Sequence, residues 1–295
     1  MELRVLKYFQ TVVVEKNITR AALQLHVSQP TISRQLQSLE SELETSLFER
    51  GHKNIQLTSA GEYFYNQVNQ ILSLADKTIE NLQQDTVISG IINIGSAEAR
   101  SFLLVAQTIR NVQRKYPNIN FEITSTNADV AHHNLTSGIF DFGIVLDINI
   151  GDDFDFISLP GASRWGILAP INSKIAQQDT VSLQDLLSLK LIISSQTKIK
   201  VAINEWFETN IADDLNIVAT YNLLYNASLL VAAGVGYALC IDGIVNTNQS
   251  QLRFIPLSPN ITSTSSLIWV KNRDLSPTAK VFLDQLTHDL SMNNS

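Results

Sequence analysis

The chain has 295 residues, 44% of them apolar, enough for a sizeable core and for more than one domain. Its formal net charge of −7 argues against a generic nucleic-acid binder, yet the charge is uneven: residues 1–60 carry seven Lys/Arg against six Asp/Glu, the remainder fourteen against twenty-two. The single cysteine, Cys240, excludes an internal disulfide and fits a reducing cytoplasm, and the opening MELRVLKYFQTVVVEKN lacks the apolar core of a signal peptide.

The first 60 residues read as short helices. Leu3, Leu6, Phe9 and Val13 share one helical face. Asn17 offers a cap to a second helix, whose apolar stripe is Ala21, Ala22 and Leu25. Ser28 as N-cap and Pro30 in the first turn open a third. At about 100° per residue, Ile32, Leu36, Leu39 and Leu43 of that helix fall within about 60° of one another and form its core face. Pro30, Ser33, Arg34, Gln37 and Ser41 fall opposite. Such a small, polar, singly basic face suits insertion into a DNA major groove, where Gln pairs with adenine, Arg with guanine and Ser with either base. A merely solvated face has the same composition, so this helix alone leaves the two readings equal.

The next segment, LFERGHKNIQLTSAGEYF, predicts a strand, a tight turn over 51–54 and a second strand over 55–57. Thr58 or Ser59 then caps a new helix, and Ser59 with Glu62 fits a capping box. Three helices and a two-stranded wing make a winged helix-turn-helix, with Arg50, His52 and Lys53 around the wing turn, where phosphate or minor-groove contacts fall.

The run from LKYFQ to LTSAG contains the Ala-Ala pair, Ser-Gln-Pro-x-x-Ser, Leu-Glu, Leu-Phe-x-Arg and Leu-Thr-x-Ala-Gly. With these motifs the chain resembles the LysR-type transcriptional regulators over essentially its whole length. The resemblance implies an all-α winged helix-turn-helix, a long linker helix, and an α/β two-lobed effector domain like the periplasmic binding proteins. It carries DNA contacts over to Gln29, Pro30, Thr31, Ser33 and Arg34, and to Arg50 and Lys53 near the wing. Thr19, Arg20 and Gln37 complete the DNA-binding candidates. Two positions depart from the family pattern. Glu44 stands where a helix-ending glycine is usual, and the wing turn has His52, Lys53 and Asn54 where arginines are common.

From residue 59 to about 87 the apolar positions Phe64, Val68, Ile71, Leu72, Ala75, Ile79 and Leu82 predict one long amphipathic helix near coiled-coil spacing. In the family this is the dimerisation helix. Asp85 to Gly90 reads as a hinge. Beyond it strands and helices alternate as in a parallel α/β sheet. The stretch DINIGDDFDF reads as a solvated acidic loop, lacking the ligand order of a calcium site. The charge-free run from Asn216 to Ile241 could span a bilayer by length, but its Asn and Gly residues favour a buried helix, a Gly-Val-Gly turn and a buried strand. L-x-x-G-x-FDFGI and VAAGVGYAL match the family's effector domain in pattern. The predicted division is 1–58 for DNA binding, 59–88 for linker and hinge, and 89–295 for the effector domain. Lobe I comprises 89–162 and 268–295 and lobe II 163–267, the chain crossing near 161–164 and 265–268.

Ligands of open α/β sheets bind outside the carboxyl ends of strands. Two such ends are polar: GSAEAR, with Ser96 and Glu98 before a helix, and SSQTK, with Ser194, Ser195, Gln196 and Thr197 before another. Free helix N–H groups and hydroxyls suit a small anion, although each hydroxyl serves equally as a simple N-cap. Glu98 suits a helix dipole or an ammonium group, so an amino acid is a second ligand class. Asn127 and Tyr225 are weaker candidates. The adjacent His132 and His133 diverge on a helix and make no zinc pair, and no catalytic motif is present. The expected protein is therefore a cytoplasmic DNA-binding regulator, not an enzyme. It has no cofactor and answers to a small carboxylate or amino acid. Its expected partners are an interrupted palindrome in double-stranded DNA, itself as a dimer or a tetramer, and RNA polymerase, with no membrane.

Overall fold

The computed structural model describes residues 1–49, 55–82, 88–146, 150–196 and 198–293. It parts into two compact units, Met1–Asp85 and Thr86–Ser295.

The first unit holds α1 (Leu3–Glu15), α2 (Ile18–Gln24), α3 (Gln29–Glu42) and α4 (Ser59–Leu82). Asn17 caps α2 by accepting from the Arg20 N–H, and Ser28 caps α3 by accepting from the Thr31 N–H. Leu6, Phe9, Val12, Ala21, Ala22, Ile32, Leu36 and Leu39 close a common core. Leu3 lies outside it, half exposed at 52%, while Val13 packs on it partly buried beside the fully buried Val12. The alanine pair lets α2 approach its neighbours closely.

The exit from α3 carries the sequence departure at Glu44. The chain still makes the left-handed turn that glycine favours, with Glu44 at φ 50°. Its N–H donates to Ser41 O and that of Thr45 to Glu40 O, the two reverse bonds of a Schellman motif. The Glu40 carboxylate then accepts from the N–H groups of Leu47 and Phe48, tying the chain after the turn back to α3. The wing is shorter than two strands among the described residues. Phe48 and Leu57 form one antiparallel bridge, and the Glu49 N–H donates to Gln56 O. The turn at 50–54 lies outside the described residues. Thr58, not Ser59, caps α4, its hydroxyl accepting from the Gly61 N–H, so no Ser59–Glu62 capping box forms. Gly61 is required by close approach, since a Cβ there would overlap the Leu47 carbonyl.

Along α4 the apolar stripe divides. Val68 and Leu72 are buried in the first unit's own core, so Leu72 is not available to a dimer seam. Ile71, Leu74 and Ile79 are exposed. Of the hinge expected at 85–90, residues 85–87 lie outside the described residues, and Gly90 already begins the first strand of the second unit.

The second unit contains β1 (Gly90–Ser96), α5 (Phe102–Lys115), β2 (Ile119–Ser125), α6 (Ala128–Thr136), β3 (Phe142–Leu146) and β4 (Phe154–Pro170). Next come α7 (Leu183–Ser188), β5 (Leu191–Ser194), α8 (Ile199–Trp206), β6 (Ile217–Tyr221), α9 (Leu224–Ala232) and β7 (Tyr237–Ile241). The chain ends with β8 (Leu252–Pro256), β9 (Thr262–Val270) and α10 (Pro277–Asn293). The strand order is β2-β1-β3-β9-β4-β7-β5-β6, with β8 beside β4. Within each half the βαβ strands are parallel, as the alternation predicts. The joining strands β4, β8 and β9 are antiparallel to their neighbours.

Three expectations change here. Phe154 to Phe156, expected in an acidic loop, begin β4, because Phe154 is buried against His132 and pairs with β9. Strand β8 was not foreseen. The return between halves comes earlier than 265–268: β8 ends on β4 in the second half-sheet, and β9 joins the first from Thr262. The charge-free run forms β6, α9 and β7. No helix among the described residues is long and apolar enough to cross a membrane.

The left-handed residue at the α3 exit is testable. A non-glycine residue there costs about 1 kcal/mol. Glu44→Gly is expected to raise the stability of the first unit by about that amount in chemical denaturation. A loss of stability would show that the Glu44 side chain offsets the strain.

Candidate DNA interface and effector cleft

The outer face of α3 is ordered by its own cap. The Ser28 and Thr31 hydroxyls lie 2.7 Å apart, and the Gln29 amide donates to the Ser33 hydroxyl at 2.9 Å. Gln29, Pro30, Thr31, Arg34 and Gln37 are exposed, and Ser33 is half-buried. Arg34 makes no hydrogen bond or ion pair among the described residues. Arg20 is tied back instead, donating to Glu15 O at 2.7 Å with the Glu15 carboxylate 3.8 Å away. Thr19, Ser33 and Gln37 come together along a 420 Å³ groove bordered by Glu49 and Ile55 of the wing. Lys16 also borders this groove. It was not singled out from sequence; it closes α1 in the left-handed conformation, just before the Asn17 cap of α2. Arg50 and Lys53 lie outside the described residues.

In the second unit the carboxyl ends of both sets of parallel strands meet. Ser96 at the end of β1 pairs in register with Ser125 at the end of β2, and Ser194 of β5 with Tyr221 of β6. The loop after β1 reaches across to the other half. The Glu98 carboxylate accepts from the Leu224 N–H at 2.8 Å, at the start of α9, where the N-cap Leu223 has no capping side chain. The stem of Arg100 packs on Gly243, which follows β7. Two cavities flank these contacts. One of 260 Å³ is lined by Ser96, Glu98, Phe102, Ile123 and Ser125, and one of 480 Å³ by Arg100, Arg164, Asp242 and the loop 243–248. Gly243 and Ile244 border both.

Several expected ligand residues are engaged elsewhere. Glu98 does sit at a helix N-terminus, but that of α9 in the other lobe; its own following helix, α5, begins only at Phe102. The Ser96 hydroxyl donates to Ala97 O, and Asn127 caps α6 by accepting from the Val130 N–H. The Ser194 hydroxyl accepts from the Gln196 N–H, and α8 starts after Lys198 with no side-chain cap. Tyr225 is largely exposed. Asn127, Ser194, Ser195, Gln196 and Tyr225 line neither cavity. Thr197 lies outside the described residues.

Burial, with the Cys240 and Glu98 charges nearby, pushes the Tyr221 phenol well above its ordinary value; its hydroxyl donates to Leu239 O. Burial pushes the Cys240 thiol up to about 12, so it is no thiolate nucleophile at neutral pH. His132 stacks on Phe154 with ring centroids 4.7 Å apart, a packing role. No three His, Cys, Asp or Glu side chains among the described residues are placed to hold a metal ion. Arg100, the Arg164–Asp242 pair and the 246–248 loop escaped sequence reading, because nothing local marks residues brought together from such distant segments.

This architecture has close counterparts. The family described as bacterial regulatory helix-turn-helix protein, lysR family, matches residues 3–62, and the LysR substrate binding domain matches residues 86–291. The HTH-type transcriptional regulator YybE of Bacillus subtilis (strain 168) is 27% identical, covering 96% of this chain and 97% of its own. BenM of Acinetobacter baylyi, also an HTH-type transcriptional regulator, is 29% identical over 94% of this chain and 92% of its own. Among solved structures, full-length CbnR complexed with its target DNA covers 98% of this chain and all of its own, with a TM-score of 0.69 at 20% identity. Full-length BenM covers 100% and 98%, with a TM-score of 0.53 at 25% identity. The chain joins a helix-turn-helix unit to a substrate-binding unit of this one kind, and it belongs to the LysR family of DNA-binding transcriptional regulators.

Proposed function

We propose that this regulator binds an interrupted palindrome as a dimer, or as a tetramer built from dimers, and responds in the cytoplasm to a small carboxylate or amino acid held between the two α/β lobes. The observation that carries the reading is the meeting of the two sets of strand ends, with the β1–α5 loop touching both Leu224 and Gly243 beside two cavities. A ligand there touches both lobes at once, so it stabilises one lobe arrangement over another through its differential affinity. RNA polymerase is the further partner through which such a change reaches transcription. In this reading α3 enters the major groove with Gln29, Pro30, Thr31, Ser33, Arg34 and Gln37. Thr19, Arg20, Arg50 and Lys53 serve the flanking backbone. The domain division of 1–58, 59–88 and 89–295 belongs to the same proposal.

Arg34 is exposed and, among the described residues, unpaired, so Arg34→Ala is expected to keep the melting profile while losing about 1–3 kcal/mol of specific binding. Sequencing the DNA retained by each protein, then footprinting the site, measures this. Unchanged specificity with an unchanged fold refutes the recognition-helix assignment.

The exposed stripe of α4 is the proposed dimer seam. Ile71→Asp together with Ile79→Asp places charge on it without touching the buried Val68 and Leu72. Light scattering is expected to show monomers with the fold intact; an undiminished dimer means that α4 does not pair.

For the ligand, thermal shifts of the full chain against small carboxylates and amino acids identify binders, which are then tested for a changed footprint. Ser96→Ala is expected to weaken the response by about 1.5–3 kcal/mol if its hydroxyl meets a charged ligand, with palindrome binding retained. A wild-type dose response from the variant removes Ser96 from the site.

A further inference from the structure

Resting on the recognition-helix reading above, we infer that Ser33 is a positioning residue: it holds the Gln29 amide for one base pair and reads no base itself. The pair that Gln29 takes in this arrangement is A·T, through the adenine edge in the major groove.

Gln29 and Ser33 stand four residues apart on α3, so their side chains meet on one face. The Gln29 Nε2 donates to the Ser33 Oγ at 2.9 Å. A glutamine amide has two N–H donors and one carbonyl oxygen. One donor is used on Ser33, which leaves Oε1 and the second N–H. That remaining pair is the complement of adenine, whose N6 donates and whose N7 accepts. Turned over, the amide would give Ser33 its oxygen and keep only donors, the complement of the two acceptors of guanine. The observed bond therefore selects the base as well as the direction of the side chain.

Burial separates the tasks of the two residues. Gln29 is exposed, while Ser33, one turn further along, is half-buried. The other hydroxyl of the first turn does not compete for the amide: that of Thr31 lies 2.7 Å from the hydroxyl of Ser28, the helix cap. Gln37 is a built-in comparison. It is exposed one turn beyond Ser33 and makes no hydrogen bond among the described residues. An unheld glutamine gives up its rotamer freedom only when DNA arrives, and it can present either edge. A held one has given up part of that freedom in advance, which favours one base over the others.

A double-mutant cycle read at single base pairs tests this. The full chain selects its site from a pool of random DNA duplexes, and affinities are measured for that site and for each single-pair change in it. Gln29→Ala is expected to reduce discrimination at one A·T pair by about fivefold or more. Ser33→Ala is expected to reduce discrimination at that same pair by about threefold or more, and in the Gln29→Ala background to change it by less than about twofold. Ser33→Ala and Gln37→Ala are expected to add, because those residues share no bond. Alanine suits a helix, so Ser33→Ala keeps the melting profile. The inference is overturned if Ser33→Ala leaves discrimination intact, if it acts at a pair that Gln29→Ala does not touch, if the Ser33 and Gln29 losses add, or if the pair read by Gln29 is G·C. Arg34→Ala separates this from the reading beneath it. Specificity lost with Arg34→Ala but untouched by Ser33→Ala and Gln29→Ala removes the Ser33–Gln29 unit alone. Specificity unchanged in all three variants removes α3 as the recognition helix.

Discussion

The second unit depends on one strand, β4, that belongs to two half-sheets at once. Strand β4 runs 17 residues, pairing with β9 as far as Arg164 and with β7 and β8 from Trp165 onward. Parallel sheets built of βαβ units are covered on both faces, and mixed sheets commonly add antiparallel strands. Here each half borrows a shared antiparallel strand. The passage point is held by side chains from both sides. The Trp165 indole N–H donates to the Ser263 hydroxyl of β9 at 2.9 Å, and Arg164 and Asp242 exchange backbone and side-chain bonds. Each half then has its own core, Ile92, Ile94, Phe142 and Phe282 on one side and Ile167, Leu191, Ile203 and Leu239 on the other. The two cores are joined through β4, and Leu146 of the first half packs into the core of the second.

That arrangement explains why the loop after β1 matters. The shared strand brings two sets of carboxyl strand ends to face each other, and only a short excursion is needed to cross between them. Glu98 and Arg100 make that excursion within three residues of one another. Glu98 supplies the negative charge that a helix N-terminus attracts, and Arg100 leaves its charge unspent. The lobes are thus in polar contact through Glu98 and the Leu224 N–H.

In the first unit the economy is different. The core is small, and α4 completes it with Val68 and Leu72 before continuing with Ile71, Leu74 and Ile79 in the open. One helix therefore serves the stability of its own unit and presents apolar surface beyond it. The Glu40 carboxylate has a comparable double position. It lies on α3 and accepts from the N–H groups of Leu47 and Phe48, so α3 and the base of the wing are tied together.

Much of this was legible in the sequence because it is written locally. Caps at Asn17 and Ser28, the stripe of Ile32, Leu36 and Leu39, and the alternation of strands and helices each depend on residues a few positions apart. The departure at Glu44 was visible as a residue type, but only the tertiary structure decided that the left-handed turn survives without glycine, because two backbone bonds and the Glu40 staple outweigh the local strain. The same holds for the acidic run before β4. Its charges suggested solvent, while burial of Phe154 against His132 drew its end into a strand. The cleft was legible only as polar strand ends. Which of those residues face it depends on how strands from distant segments line up. Ser194 and Asn127 were spent on local backbone bonds, whereas Arg100, carrying no local pattern at all, was set against Gly243 by a contact spanning more than half the effector unit. Short-range chemistry chose the elements, and long-range pairing chose the site, since side chains far apart in the chain have no shared periodicity to reveal their meeting.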